Sequence, residues 1–221
     1  MDFKDKVIIN KKKMKSISIR IRDGKVLVSA PLNVSEKYIL ELLESKRGWI
    51  EEKLTIKRDL KIADLLKRDT LGVDEKVRYL GKEYVIKIKE KSSGGIQLIG
   101  DNLIINCYKK ENALELLKKF YIDNINKIFK EKFEKIEKLT GLYAHKLTIK
   151  FMNTRWGSCN KVKGYVNLNG ELIAKKESSI DYVILHELCH LVHGNHSKDF
   201  YSLVEKYMEN YREEEIYLNG K

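Results

Sequence analysis

The chain has 221 residues, of which 43% are apolar and 34% charged, and it contains a single proline. That is enough chain for a sizeable buried core and too much apolar residue for a disordered polymer, so fibrous and disordered classes are excluded. The net charge is +12, but the last 51 residues are net acidic, so the positive charge belongs to the first 170, where it reads first as lysine-rich solvated faces and otherwise as a dock for an anionic partner, nucleic acid or nucleotide.

In chain order, "SISIRIRDGKVLVSAP" alternates Ile17, Ile19 and Ile21 with polar residues, turns at Asp23-Gly24 and continues through Val26 and Val28. The pattern predicts a β-hairpin with a two-residue turn. Pro31 closes the strand and Ser35 is the expected N-cap of a helix running to about residue 68, bent near Gly48. "YLGKEYVIKIKE", "GIQLIG" and "NLIINC", separated by glycine-containing turns, predict an antiparallel meander. Residues 1–108 thus read as a β-rich N-terminal domain with a helical insertion, and 109–221 as a second domain.

From Glu111 to Leu139, apolar residues at Leu114, Leu117, Tyr121, Ile125, Ile128, Phe129 and Ile136 predict one long amphipathic helix ended by Gly141. "KLTIKFMNT" and "GYVNLNGELI" predict a strand pair across the loop "RWGSCNKVK". Ser178 or Ser179 is the expected cap of a buried helix beginning "IDYVILHELCHLV". A last helix starts at Ser197, with Phe200, Leu203, Val204 and Tyr207 as its core stripe. The overall expectation is an α+β fold.

The stretch "HELCHLVHGNH" gathers four of the five histidines. Residues four apart on a helix share a face, so His186 and His190 can meet one ion, with Glu187 on the flank of that face, placed to take a proton from water. This is the HExxH pattern of zinc hydrolases. Burying two imidazoles and a carboxylate in an apolar helix is expensive without compensation, and a divalent cation compensates. A catalytic zinc takes three protein ligands, and His193 and His196 compete for the third place. His193 on a continued helix lies about 10 Å along the axis from His186, too far for one small ion. Gly194-Asn195 is a natural helix stop that turns the chain and brings His196 back, with Glu205 or Glu209 as the alternative. Cys189 points away from the shared face and is a buried core thiol, and Cys107 and Cys159 are also read as structural.

With HELCHLVHGNHS and RWGSCN both in view, the chain resembles the YgjP-type metal-dependent hydrolases, a group similar to the SprT-like zinc proteases, and the resemblance is nearly full length. It implies a minimal zincin domain after an N-terminal β-rich unit, one zinc ion on His186, His190 and His196, and Glu187 as acid/base. Tyr201 stands where the family often has tryptophan, and Glu209 where proline is usual. In zincin-like folds a strand passes beside the catalytic helix, so Arg155 in the RWGS motif either stabilises an oxyanion or holds a phosphate or carboxylate, or pairs with an acid to pin the loop while Trp156 fills the core.

The expected activity is a zinc metallopeptidase acting on peptides or proteins, with a phosphoanhydride hydrolase and a nucleic-acid-docked protease as rivals. Three odd cysteines without a CxxC pair and the absence of a membrane-length apolar run predict a cytoplasmic protein. Oligomeric state is not readable from the sequence.

Overall fold

The computed structural model describes residues 3–22, 25–55, 61–72, 75–91 and 93–219. By internal contact the chain divides into two compact units, Met1–Arg58 and Asp59–Lys221.

In the first unit a short 3-10 turn, Phe3–Lys6, leads into β1 (Val7–Lys11), β2 (Ser18–Arg22) and β3 (Lys25–Ala30). The sheet order is β1-β3-β2, with β3 antiparallel to β2 as the alternation predicts and parallel to β1. The expected turn at Asp23-Gly24 lies outside the described residues. Ser35 caps α1 (Glu36–Ser45), accepting a hydrogen bond from the Tyr38 amide at 3.2 Å. The helix breaks at Lys46, two residues before Gly48, which lies inside α2 (Arg47–Thr55). The Lys46 amide turns back onto the carbonyls of Leu43 and Glu44, so a tightened last turn makes the bend, and no glycine is needed there. Val26, Val28 and Ala30 on one face of β3 pack with Ile39, Leu43 and Ile50 from the helices into a small core.

The second unit begins, as described, with α3 (Ile62–Leu65), whose first amides donate to the Glu171 carboxylate at 3.0 and 2.9 Å. The strands β4 (Lys76–Tyr79), β5 (Lys82–Glu90), β6 (Gly95–Ile99) and β7 (Asn102–Cys107) form one sheet in the order β4-β5-β7-β6. This is not the expected simple meander, because β7 inserts between β5 and β6 and runs parallel to β5. The physical reason lies in "NLIINC": β7 is buried along nearly its whole length and belongs inside a sheet, whereas β6 is largely exposed and suits an edge.

The long helix α4 (Ala113–Thr140) buries Leu114, Leu117, Tyr121, Ile125, Phe129, Phe133 and Ile136 along one stripe. It ends at Gly141, whose φ of +71° is a conformation that glycine adopts without strain. A second sheet follows: β8 (Lys146–Lys150), β9 (Gly157–Asn160) and β10 (Tyr165–Asn169), in the order β8-β10-β9. β10 is parallel to β8, and half of the expected loop "RWGSCNKVK" is strand β9, antiparallel to β10 at the sheet edge.

Three helices complete the chain: α5 (Glu177–Cys189), α6 (Lys198–Tyr207) and α7 (Tyr211–Asn219). Neither Ser178 nor Ser179 caps α5. Both lie inside it, and their hydroxyls donate to the buried Glu214 carboxylate of α7 at 2.7 and 2.5 Å, joining the start of α5 to the C-terminal helix. Lys132 of α4 reaches Asp181 and Glu177, tying α4 to the same helix.

Side chains from β4, β5 and β7 share one core with α4 and α5: Val77, Ile86, Leu103 and Ile105 pack in the cluster that holds Tyr121, Phe129 and Leu185. The four-stranded sheet grouped by sequence with the N-terminal β-rich domain therefore belongs to the unit that carries the histidines, and the boundary between compact units falls after Arg58 rather than after 108. Phe129 is fully buried in this cluster, and Phe129→Ala is expected to destabilise the protein by about 3–5 kcal/mol in chemical denaturation.

Candidate functional site

His186 and Glu187 occupy the last turn of α5, and His190 is its C-cap residue. The helix stops at Cys189, before Gly194-Asn195, and neither of those residues takes a positive φ. The turn is made instead by the amides of Leu191, Val192 and His193 bonding back to Leu188 and Cys189 at 3.0–3.1 Å. Lys161, from the turn after β9, donates to the Val192 carbonyl at 2.6 Å. The chain then returns through His196 to Ser197, which caps α6 by accepting from the Phe200 amide at 3.3 Å.

This path brings His186, His190 and His196 together: one nitrogen from each lies within 4.8 Å of the others. His186 Nε2 is 3.2 Å from His190 Nε2 and 3.0 Å from His196 Nε2. Neither His193 nor Glu205, Glu209 or Cys189 joins the cluster among the described residues. His193 contributes its backbone instead, as its carbonyl faces His190 Nδ1 at 3.0 Å. Phe200 stacks on the His190 ring at 4.5 Å and meets the other two rings edge-on at 4.9 Å, so the core stripe of α6 doubles as the floor under the cluster. The Tyr182 hydroxyl, one turn earlier on α5, lies 3.4 Å from His186 Nδ1.

The donor set fits a cation. A carbonyl only accepts, so the proton of neutral His190 sits on Nδ1 and its Nε2 presents a bare lone pair. His186 Nε2 then faces two ring nitrogens with at most one proton to share, which leaves a lone-pair contact that a positive ion relieves. Tetrahedral zinc with bonds of about 2.0–2.1 Å sets its nitrogen ligands about 3.3 Å apart, close to the spacings found here. Burial, and then the charges of His190 and His196, hold the His186 imidazole down at a pKa of about 3, so it is neutral and ready to ligate at pH 7.

Glu187 is 6% exposed and has no hydrogen-bond or ion-pair partner among the described residues. Burial pushes its carboxyl up to about 8, and the positive charge of Arg155 pulls the other way. The carboxylate lies against strand β9. A methyl group at Gly157 would meet Glu187 Oε1 at 2.5 Å, and Cys159, two residues along the same face, has its thiol pushed up to about 11 by burial and by Glu187.

Arg155 itself is exposed and makes no ion pair among the described residues, so the loop before β9 is not pinned by an Arg155 salt bridge. Buried Asn169 does that work: its side-chain amide donates to the carbonyls of Met152 and Arg155 at 2.8 and 2.9 Å, and its backbone amide donates to the Trp156 carbonyl at 2.8 Å. Trp156 packs against the core and donates to the Leu218 carbonyl at 3.3 Å. Asn169, Phe200, Tyr182 and Gly157 are the residues that sequence reasoning did not assign to the site. The RWGS motif pointed to the right segment without saying which of its residues meets Glu187.

Residues 15–221 match the model of the YgjP-like metallopeptidase domain. The chain belongs to the YgjP-like family. This family's domain is a metallopeptidase, so the activity class is metal-dependent hydrolysis of peptide bonds. No curated protein matches the chain. Solved structures similar to part of it include two metallopeptidase zymogens. The metallopeptidase zymogen abylysin of Pyrococcus abyssi is 22% identical, covers 41% of this chain and 90% of its own, and has a TM-score of 0.38. The metallopeptidase zymogen jannalysin of Methanocaldococcus jannaschii is 24% identical over 41% of this chain and 91% of its own, with a TM-score of 0.36. Among the described residues, no helix of this YgjP-like chain is long and apolar enough to cross a membrane.

The raised Glu187 carboxyl has a consequence for stability. Its folded pKa, about 8, exceeds its ordinary value of 4.5, so between those two the unfolded chain is ionised while the folded one holds the proton. Stability from this group is present below about 4.5 and declines as pH rises to about 8. In metal-free protein, urea unfolding of Glu187→Gln against the native sequence should show a gap that widens by about 3–5 kcal/mol across that window. A gap independent of pH would contradict it.

Proposed function

We propose that the chain is a zinc-dependent peptidase in which His186, His190 and His196 hold the metal and Glu187 is the general acid/base. The observation that carries this reading is the convergence of three imidazole nitrogens beside a buried, unpartnered carboxylate. Bound there, zinc supplies a Lewis acid for the scissile carbonyl and lowers the pKa of water towards 7.

The chain's own residues account for the rest. The His193 carbonyl fixes the His190 tautomer, which leaves the Nε2 lone pair free to hold a metal. The Phe200 ring excludes water from beneath the three imidazoles. Glu187 takes a proton from the attacking water and returns it to the leaving amine. Its buried position raises its basicity, and the Arg155 charge keeps part of it ionised near neutral pH. The guanidinium is thereby an electrostatic partner of the base, and its exposure leaves it free to meet a substrate carboxylate as well.

All four residues of the constellation lie within 109–221, the segment set apart in the sequence as the hydrolase domain. Its core is shared with β4–β7, so the catalytic unit is taken as the whole of 59–221. The phosphoanhydride and nucleic-acid readings rest on net charge and gain no support from the family. Metal analysis of the purified chain, together with an unbiased peptide-library cleavage screen, tests the proposal. Zinc bound with no peptide cut, or a metal other than zinc alone restoring turnover, would count against it.

A further inference from the structure

Strand β9 meets the catalytic helix at one residue in particular. Gly157 pairs with Leu168 of β10, and the amide of Asn169 holds the neighbouring Trp156 carbonyl at 2.8 Å, so the backbone at 157 cannot move far without breaking the sheet edge. An added Cβ there would lie 2.5 Å from Glu187 Oε1, 2.7 Å from Cγ and 2.9 Å from Cδ, all closer than real Cβ atoms approach. Its φ is not in the left-handed region, so backbone conformation does not explain the glycine. Ser158 faces the opposite side of the strand, where its hydroxyl oxygen accepts from Asn167 at 3.0 Å.

We infer that Gly157 is a positioning residue for the reaction: the space left by its missing side chain is where the Glu187 carboxylate sits, and strand β9 thereby sets the carboxylate's position relative to the three histidines. This rests on the proposed role of Glu187 as base. On a helix, a glutamate beside a ligand histidine has three torsions and, here, no hydrogen bond to hold it. Van der Waals contact with a fixed strand supplies the restraint that a partner would otherwise supply. An alanine at 157 forces the carboxylate to another rotamer because the strand is pinned and the glutamate is the softer neighbour.

The test is a double-mutant cycle on the zinc-loaded full chain with a peptide that the native sequence cleaves. Gly157→Ala is expected to lower kcat at least tenfold, with KM changed less than threefold and zinc content unchanged, since a misplacement of about 1 Å can cost about a hundredfold. In the Glu187→Asp background, where the acid is one methylene shorter, the same alanine is expected to change kcat less than threefold. Full kcat in Gly157→Ala, an equal fall in both backgrounds, or a rise confined to KM overturns the inference, the last by placing the methyl group in the path of substrate. Should Gly157→Ala fail to fold, Gly157→Ala/Glu187→Ala is expected to fold, because removing the carboxylate vacates the space; a double variant that also fails overturns the inference. Unchanged turnover in Glu187→Gln would instead defeat the assignment of the base, which separates the two failures.

Discussion

Replacing Glu187 by glutamine is expected to lower kcat/KM for peptide cleavage by about 10²–10⁴-fold while leaving the zinc content of the protein unchanged. Glutamine keeps the length and shape that fit against Gly157 and loses only the ability to take and return a proton. The carboxylate is not among the clustered ligand atoms, so its removal should not release the metal. The measurement is steady-state cleavage with atomic-absorption analysis of the same samples. Turnover equal to that of the native sequence would remove Glu187 from the mechanism, and loss of zinc would make it a ligand rather than a base.

Replacing His186 or His196 by alanine is expected to weaken zinc by more than about 100-fold, whereas His193→Ala should leave affinity unchanged. The lower bound follows from outer-shell partners, whose loss alone costs about 10–100-fold. His186 is the centre of the cluster, with both other imidazoles within 3.2 Å of it, so its removal dismantles both pairs. His193 acts through its carbonyl, which alanine retains. Competition against a chromogenic chelator reads all three variants. Equal weakening in His193→Ala would mean that its ring, not its backbone, serves the site.

The two helical histidines were legible because a four-residue spacing on a helix is a geometric statement in itself. His196 was legible by a different route, from the rise per residue that rules out His193. The means of the turn was not: the helix ends at Cys189 by successive backbone bonds and a lysine from the β9 turn, while neither Gly194 nor Asn195 takes a positive φ. Turn-forming residue types mark where a chain is free to turn, whereas the hydrogen bonds that make it turn come partly from elsewhere. The same holds for Ser178 and Ser179, which have the chemistry of caps but found a buried carboxylate 35 or 36 residues away.

Strand order was likewise hidden. Alternation identifies strands and their faces, but β7 and β10 each accept a parallel neighbour that no local pattern announces. Burial along the length of β7 was readable in hindsight from "NLIINC", since only an interior strand tolerates so few polar residues.

Spacing and residue type alone therefore determined the HExxH face, the long helix α4 with its stop at Gly141, the alternation of the antiparallel pair β2–β3 and the family resemblance, all of which depend on neighbours within a few residues. Tertiary structure alone decided that the β4–β7 sheet shares the core of the histidine-bearing unit, that Asn169 rather than Arg155 holds the loop, and that Gly157 faces Glu187. Each of those depends on which surfaces meet across the core, and a buried group's partners are chosen by packing and hydrogen-bond satisfaction over distances that local sequence does not encode.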